Sequence, residues 1–151
     1  MVSITTNAFF YSIVVTVFFL SGTTGVYAEQ NLYADHTDRS NVELGSKVYV
    51  QHCAVCHGAK LEGEPNWTKR KESGALPAPP HDPSGHTWHH SDDILFRLTK
   101  FGVKIFAGPN YITEMPAYEG VLSDEEILAV LAFIKSTWPE EILEAQRRMS
   151  Q

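Results

Sequence analysis

The chain has 151 residues, a formal net charge of −6 at pH 7 and only two cysteines. The acidic balance argues against nucleic acid as a partner, because proteins that bind nucleic acid present a basic surface. This length predicts one domain with one modest core.

Residues 1–28 have the pattern of an export signal. An apolar run from Ala8 to Leu20 has the length of a signal-peptide core, and Ala28 supplies a cleavage site before Glu29. No lysine or arginine precedes this run, which is atypical of a signal. A retained membrane anchor is the alternative, although residues 21–25 interrupt the run before it reaches the ~20 residues of a spanning helix. We therefore expect a periplasmic or secreted protein, in contact with a membrane only if the segment is retained.

The polar segment 29–40 has no periodicity and is predicted to be a flexible lead-in. From there, apolar positions recur at intervals of four through Leu44 and Val48, which predicts a helix that runs on to the cysteines. Ser40 or Asn41 is the expected N-cap of this helix.

Prolines and glycines at residues 59–90 exclude long helices, so this stretch is predicted to be loop. A second helix is expected from Ser91 as N-cap to a stop at Gly102. Residues 103–122 again have the composition of a loop.

A third helix begins with a capping box at Ser123-Asp124-Glu125-Glu126 and ends before Pro139. Residues 140–151 are predicted to form an exposed, frayed tail helix. With three main helices, this short C-terminal tail helix and no convincing strand, the expected fold class is all-α.

Cys53-Ala54-Val55-Cys56-His57 has the C-x-x-C-H pattern of covalent haem attachment. Two cysteines one helical turn apart can form thioethers with the two vinyl groups of a haem, and the following histidine can reach the iron. Cys53, Cys56 and His57 are therefore the candidate cofactor-binding residues, for one covalent haem c.

Three other interpretations of the cysteine pair remain open. Two cysteines in an oxidising compartment can form a disulfide. A structural zinc site needs four ligands, which His81, His86, His89 or His90 could complete. A thioredoxin-like redox pair normally lies in a βαβ unit, and the sequence predicts no strand.

Residues 41–138 resemble class I cytochromes c, in particular small bacterial monohaem ones. The resemblance lies in Gly45 and Val48-Tyr49 before Cys53–His57, in Met115-Pro116-Ala117-Tyr118, and in Leu122–Ile127 leading to Phe133-Ile134. It implies a cytochrome c fold, with three main helices wrapped around the haem. It also implies that the first and last helices cross where Gly45 and Tyr49 meet Phe133.

The resemblance implies Met115 as the sixth ligand of the iron, opposite His57. Once residues 1–28 are removed, Met115 and Met149 are the only methionines left, and Met149 lies in the polar tail. A histidine from the 81–90 loop is the competing sixth ligand. By the same resemblance, the carbonyl of Pro79 or Pro80 orients His57.

These features predict a one-electron carrier that cycles between Fe(III) and Fe(II), and not an enzyme. Redox partner proteins would dock transiently at the haem edge. A redox subunit of a larger dehydrogenase or oxidase complex is an alternative. A bis-histidine haem protein, or an open-site one with peroxidase-like activity, is another.

Overall fold

The computed structural model describes residues 32–149, and every regular element in this part of the chain is helical. The helices are α1 (Arg39–His52), α2 (Ala54–His57), α3 (Asp92–Phe101), α4 (Lys104–Ala107), α5 (Asp124–Ser136) and α6 (Glu140–Arg148), with a 3₁₀ turn at Thr87–His89. The predicted all-α class is confirmed. The export signal predicted for residues 1–28 lies outside the described residues. None of the helices within 32–149 is long and apolar enough to cross a membrane.

Helices α1 and α5 pack directly against each other. A side chain on Gly45 would collide with the Ala129 carbonyl and with Phe133, so glycine is needed for this close approach. The rings of Tyr49 and Phe133 pack beside it, with centroids 5.4 Å apart. The crossing that the resemblance implied for Gly45, Tyr49 and Phe133 is therefore confirmed.

Helix α1 begins earlier than predicted. Its N-cap is Asp38, whose carboxylate accepts the backbone N–H groups of Ser40 at 2.9 Å and of Asn41 at 3.4 Å. The prediction of Ser40 or Asn41 as the cap was wrong because the charged carboxylate upstream takes both of these N–H groups. Ser40 and Asn41 consequently lie inside the first turn.

Helices α3 and α5 begin as predicted. The Ser91 side chain accepts the N–H of Ile94, and Ser123 and Glu126 form a reciprocal capping box. Gly102 ends α3 at a φ of 84°. The segment 103–122, predicted to be loop, contains the short helix α4, which Gly108 ends at a φ of 90° after one turn.

A buried polar group that we call the Asp92 cluster consists of Asp92, Lys135, Ala34 and Gln146. The Lys135 ammonium lies 2.7 and 2.9 Å from the two Asp92 carboxylate oxygens. The same carboxylate accepts the Ala34 backbone N–H at 2.9 Å and the Gln146 side-chain amide at 2.7 Å. The cluster therefore joins the segment before α1 to α3, α5 and α6.

The tail was predicted to be exposed and frayed, and for α6 that was wrong. Leu143 and Gln146 on this helix are buried. Five exposed charged residues, three glutamates and two arginines, cover its other faces, and the second buried residue is a polar glutamine. Ile142 and Leu143 mark this face, but a hydrophobic pattern alone does not show that Gln146 is buried beside them.

Candidate functional site

A cavity of about 350 Å³ contains all four predicted site residues in its lining. Cys53, Cys56 and His57 come from the turn after α1, and Met115 comes from the loop before α5. The wall is otherwise largely apolar. The loop before α3, helix α3 itself and helix α5 contribute Leu76, Leu95, Leu98, Val130, Leu131 and Ile134. The fold thus brings two thiols, an imidazole and a thioether to one apolar cavity.

The cysteine segment forms a single helical turn. The Cys53 carbonyl accepts the N–H of Cys56 at 3.1 Å and of His57 at 2.9 Å. The buried Tyr49 hydroxyl donates to the Gly58 carbonyl at 2.8 Å and contacts the His57 carbonyl at 3.3 Å. This hydroxyl fastens the end of the turn to α1, a role that the sequence pattern did not reveal.

Cys53 and Cys56 are free thiols, so the disulfide interpretation finds no support. Burial, with a smaller contribution from Cys56, raises the pKa of Cys53 to about 11. Burial therefore favours the protonated thiol, whereas thiol–disulfide exchange uses a thiolate. Within residues 32–149, no three side chains of His, Cys, Asp or Glu are grouped to hold a metal ion by themselves.

His57 is buried, and one of its ring nitrogens is already engaged. Nδ1 lies 2.8 Å from the Pro79 carbonyl oxygen. Because a carbonyl only accepts, Nδ1 must carry the hydrogen, which leaves the Nε2 lone pair free to coordinate. Burial lowers the pKa of His57, partly offset by this hydrogen bond and by Glu64. Of the two prolines considered, the structure places Pro79 at this position.

His81 lies directly against His57. The two rings are stacked, with centroids 3.9 Å apart and planes 20° from parallel. Burial lowers the pKa of His81 well below its usual value, so its ring is neutral. Since stacked rings lie side by side, His81 and His57 cannot bind one iron from opposite faces, which removes His81 from the bis-histidine alternative.

The other histidines of this loop differ in their position. His86 and His90 line the cavity. His89 is exposed and stacks on Trp88 with centroids 3.7 Å apart. The candidates for a second histidine ligand are thereby reduced to His86 and His90.

Two tethers hold the loop that carries Met115. The Tyr118 hydroxyl donates to the carbonyl of His52, the residue before Cys53, at 2.7 Å. Lys71 pairs with Glu114 at 2.7 Å and with Glu64 at 3.0 Å. The sequence indicates Tyr118 only as part of the Met115–Tyr118 motif and does not indicate the role of Lys71, because nothing local shows which loops meet.

A family model described as cytochrome c matches residues 42–138 of the chain. The chain belongs to the cytochrome c family. Comparison with curated proteins and with solved structures gave no match. As a cytochrome c, the chain carries one covalently bound haem c, and its function is haem-based electron transfer with redox partner proteins.

The residues around the cavity fit this cofactor. Thiols that can become thioethers, an imidazole with a free Nε2 and a methionine thioether are the kinds of group that hold a six-coordinate haem c. The apolar wall suits the porphyrin faces. Family membership and the side chains of the cavity therefore both indicate a covalently bound haem.

Proposed function

We propose that this chain is a class I monohaem cytochrome c that shuttles single electrons between redox partners. Cys53 and Cys56 form the thioether bonds, and His57 and Met115 are the axial ligands. The observation that carries this proposal is that the four side chains line one cavity, although Met115 is far from the others in the chain. When bound, the haem supplies one-electron exchange between Fe(III) and Fe(II).

The surrounding residues favour electron transfer over catalysis. With His57 and Met115 both coordinating, no open position is left for a substrate. The apolar wall around Leu95 and Leu131 excludes water and lowers the local dielectric, which favours the less charged ferrous state. A thioether ligand acts in the same direction, so we expect a fairly positive reduction potential.

The turn that carries the cysteines is also where a partner can come closest. Val55, between the two cysteines, is 87% exposed, and Cys56 is exposed as well. A partner that docks on this edge would lie within a few side chains of the haem. Such contacts are typically small and transient in electron transfer.

We further propose that the protein is exported, with cleavage after Ala28. N-terminal sequencing of the mature protein tests this directly. A first residue of Glu29 supports cleavage, and an intact Met1 together with membrane fractionation would show a retained anchor.

Ligation by Met115 is tested by the absorption spectrum of the ferric protein. The wild type should show the weak sulfur-to-iron charge-transfer band in the red to near infrared, and Met115→Ala should lose it. Met149→Ala is the matched control, because Met149 is half exposed and outside the cavity lining. A wild type without the band would remove Met115 as ligand, and His86→Ala and His90→Ala would then identify a histidine ligand.

Covalent attachment is tested by replacing both Cys53 and Cys56 with alanine. Haem should be released from this variant by acidic organic solvent, while it stays with the wild-type polypeptide. Haem that resists extraction from the double variant would refute attachment at these cysteines.

A further inference from the structure

His81 occupies a position that covalent attachment and axial ligation do not require. Its ring covers the face of His57 at a centroid distance of 3.9 Å. On another side, the edge of Tyr49 packs against it at 6.3 Å and 72°. The ring is therefore enclosed between the proposed ligand and α1.

Three hydrogen bonds from different parts of the chain fix His81 itself. Its Nδ1 lies 2.7 Å from the Thr87 hydroxyl. Its backbone N–H donates to Leu61 at 2.8 Å, and its carbonyl accepts the Trp138 indole N–H at 2.7 Å. One bond holds the ring and two hold the backbone that carries it, so the ring can impose its own orientation on a neighbour.

His57 needs such a neighbour, because its hydrogen bond constrains only one atom of the ring. With Nδ1 held by Pro79, the imidazole can still rock about that contact, and its plane can turn relative to the iron. A ring stacked on its face opposes this motion, since turning would break the contact. The hydrogen bond and the stacked ring are thus complementary restraints.

We propose that His81 is a positioning residue for His57, and that the stacked face of its ring sets the plane in which His57 meets the iron. This rests on the proposed ligation by His57. The plane of an axial imidazole determines its overlap with the iron d orbitals. The stack therefore acts on the electronic structure of the haem, and not only on stability.

Two variants separate the ring from its hydrogen bond. His81→Asn keeps a polar group for Thr87 but has no ring, whereas His81→Phe keeps a ring and cannot bond to Thr87. His89→Leu is the control, since His89 is an exposed histidine of the same loop outside the cavity lining. For each haem-loaded ferric protein, the electron paramagnetic resonance g values and the reduction potential are measured.

In His81→Asn we expect g values outside the range spanned by the wild type and His89→Leu, together with a changed potential. His81→Phe should give g values within that range. Wild-type g values in His81→Asn, or displaced ones in His81→Phe, would overturn the assignment. Either variant alone can support or overturn the assignment, so the test can still be made if the other fails to acquire haem.

A separate variant, His57→Ala, distinguishes this inference from the proposed function. A wild-type ferric spectrum in His57→Ala would show that His57 is not the ligand. A changed spectrum there, with wild-type g values in His81→Asn, would retain the proposed function and remove only the role of His81.

Discussion

The Tyr49 hydroxyl shows how one atom can support the turn that carries Cys53 and Cys56. It donates to the Gly58 carbonyl at 2.8 Å from a ring that is only 1% exposed. The carbonyls of Gly58 and His57 also accept the N–H groups of Leu61 and Gly63. Loss of the hydroxyl would therefore weaken a network without leaving these acceptors unpaired.

Tyr49→Phe should accordingly lower the free energy of unfolding by about 0.5–1.5 kcal/mol, the usual net value of one hydrogen bond. Urea denaturation of the haem-loaded protein, followed by circular dichroism, measures it. Tyr33→Phe is the control, because Tyr33 is half exposed and its hydroxyl is not part of this network. An effect no larger than that of Tyr33→Phe would contradict the role assigned to the hydroxyl.

Burial also raises the pKa of Tyr49, so the free energy of unfolding depends on pH in a definite direction. An unfolded tyrosine titrates at pH ~10. Above that pH the folded protein retains a proton that the unfolded chain has lost. This stabilisation is complete below pH ~10 and is lost as the pH rises further. The wild type should therefore lose stability above pH ~10 more steeply than Tyr49→Phe, measured by urea denaturation at several pH values.

Residues of the site differ in how far sequence could predict them. Cys53, Cys56 and His57 lie within five residues, so their spacing alone suggests their chemistry. Met115 needed the family resemblance, supported by the scarcity of methionine. His81 could not be assigned, because its contact with His57 depends on how a long loop folds back across the cavity.

At the scale of elements, the crossing of α1 and α5 depends on Gly45. Glycine inside a helix normally costs about 0.5–1 kcal/mol relative to alanine, so propensity alone predicts that Gly45→Ala stabilises the protein. Packing predicts the opposite, because an added Cβ would collide with the backbone carbonyl of Ala129. A backbone atom in the middle of a helix cannot move aside as a flexible side chain would.

We therefore expect Gly45→Ala to lower the free energy of unfolding by about 1–3 kcal/mol, as overpacked cores do. Chemical denaturation of the haem-loaded protein measures the change. Lys47→Ala on the exposed face of the same helix is the control and should be near neutral. A more stable Gly45→Ala protein would mean that the helices can separate at little cost.

Helix ends were predictable where one side chain decides them locally. Ser91, Ser123 and Gly102 act through groups within three or four residues, and the structure has each in its predicted place. Asp38 was missed because several adjacent polar residues compete for the cap. The burial of Gln146 on α6 was missed because its partner, Asp92, lies more than fifty residues away in the chain.

At the scale of the whole molecule, the Asp92 cluster joins the segment before α1 and helix α6 to helices α3 and α5. Neither that segment nor α6 lines the haem cavity. The side chains of Lys135 and Asp92 are 3% and 8% exposed, so the pair is shielded from water and salt. Ala34 and Gln146 supply the remaining donors, which leaves the carboxylate fully hydrogen-bonded. Without the cluster, the segment before α1 and helix α6 would each lose a buried anchor.

Lys135→Met is the sharpest test of this connection, since methionine has similar length and no charge. Removing one partner of a buried ion pair costs about 3–5 kcal/mol, because the other charge is left uncompensated. We expect a value near the lower end, since Asp92 keeps its bonds to Ala34 and Gln146. The loss should appear as a lower urea midpoint at an unchanged slope.

Lys47→Met is the matched control for this variant, because Lys47 is exposed on α1 and should change the free energy of unfolding by less than about 0.5 kcal/mol. The charge-transfer band expected from the proposed Met115 ligation should persist in Lys135→Met, since neither Lys135 nor Asp92 lines the cavity. A Lys135→Met protein as stable as Lys47→Met would show that the attraction within the pair only offsets the free-energy cost of removing its two charges from water. A lower midpoint with the band retained would instead show that the Asp92 cluster stabilises the fold without affecting the proposed ligation of the iron by Met115.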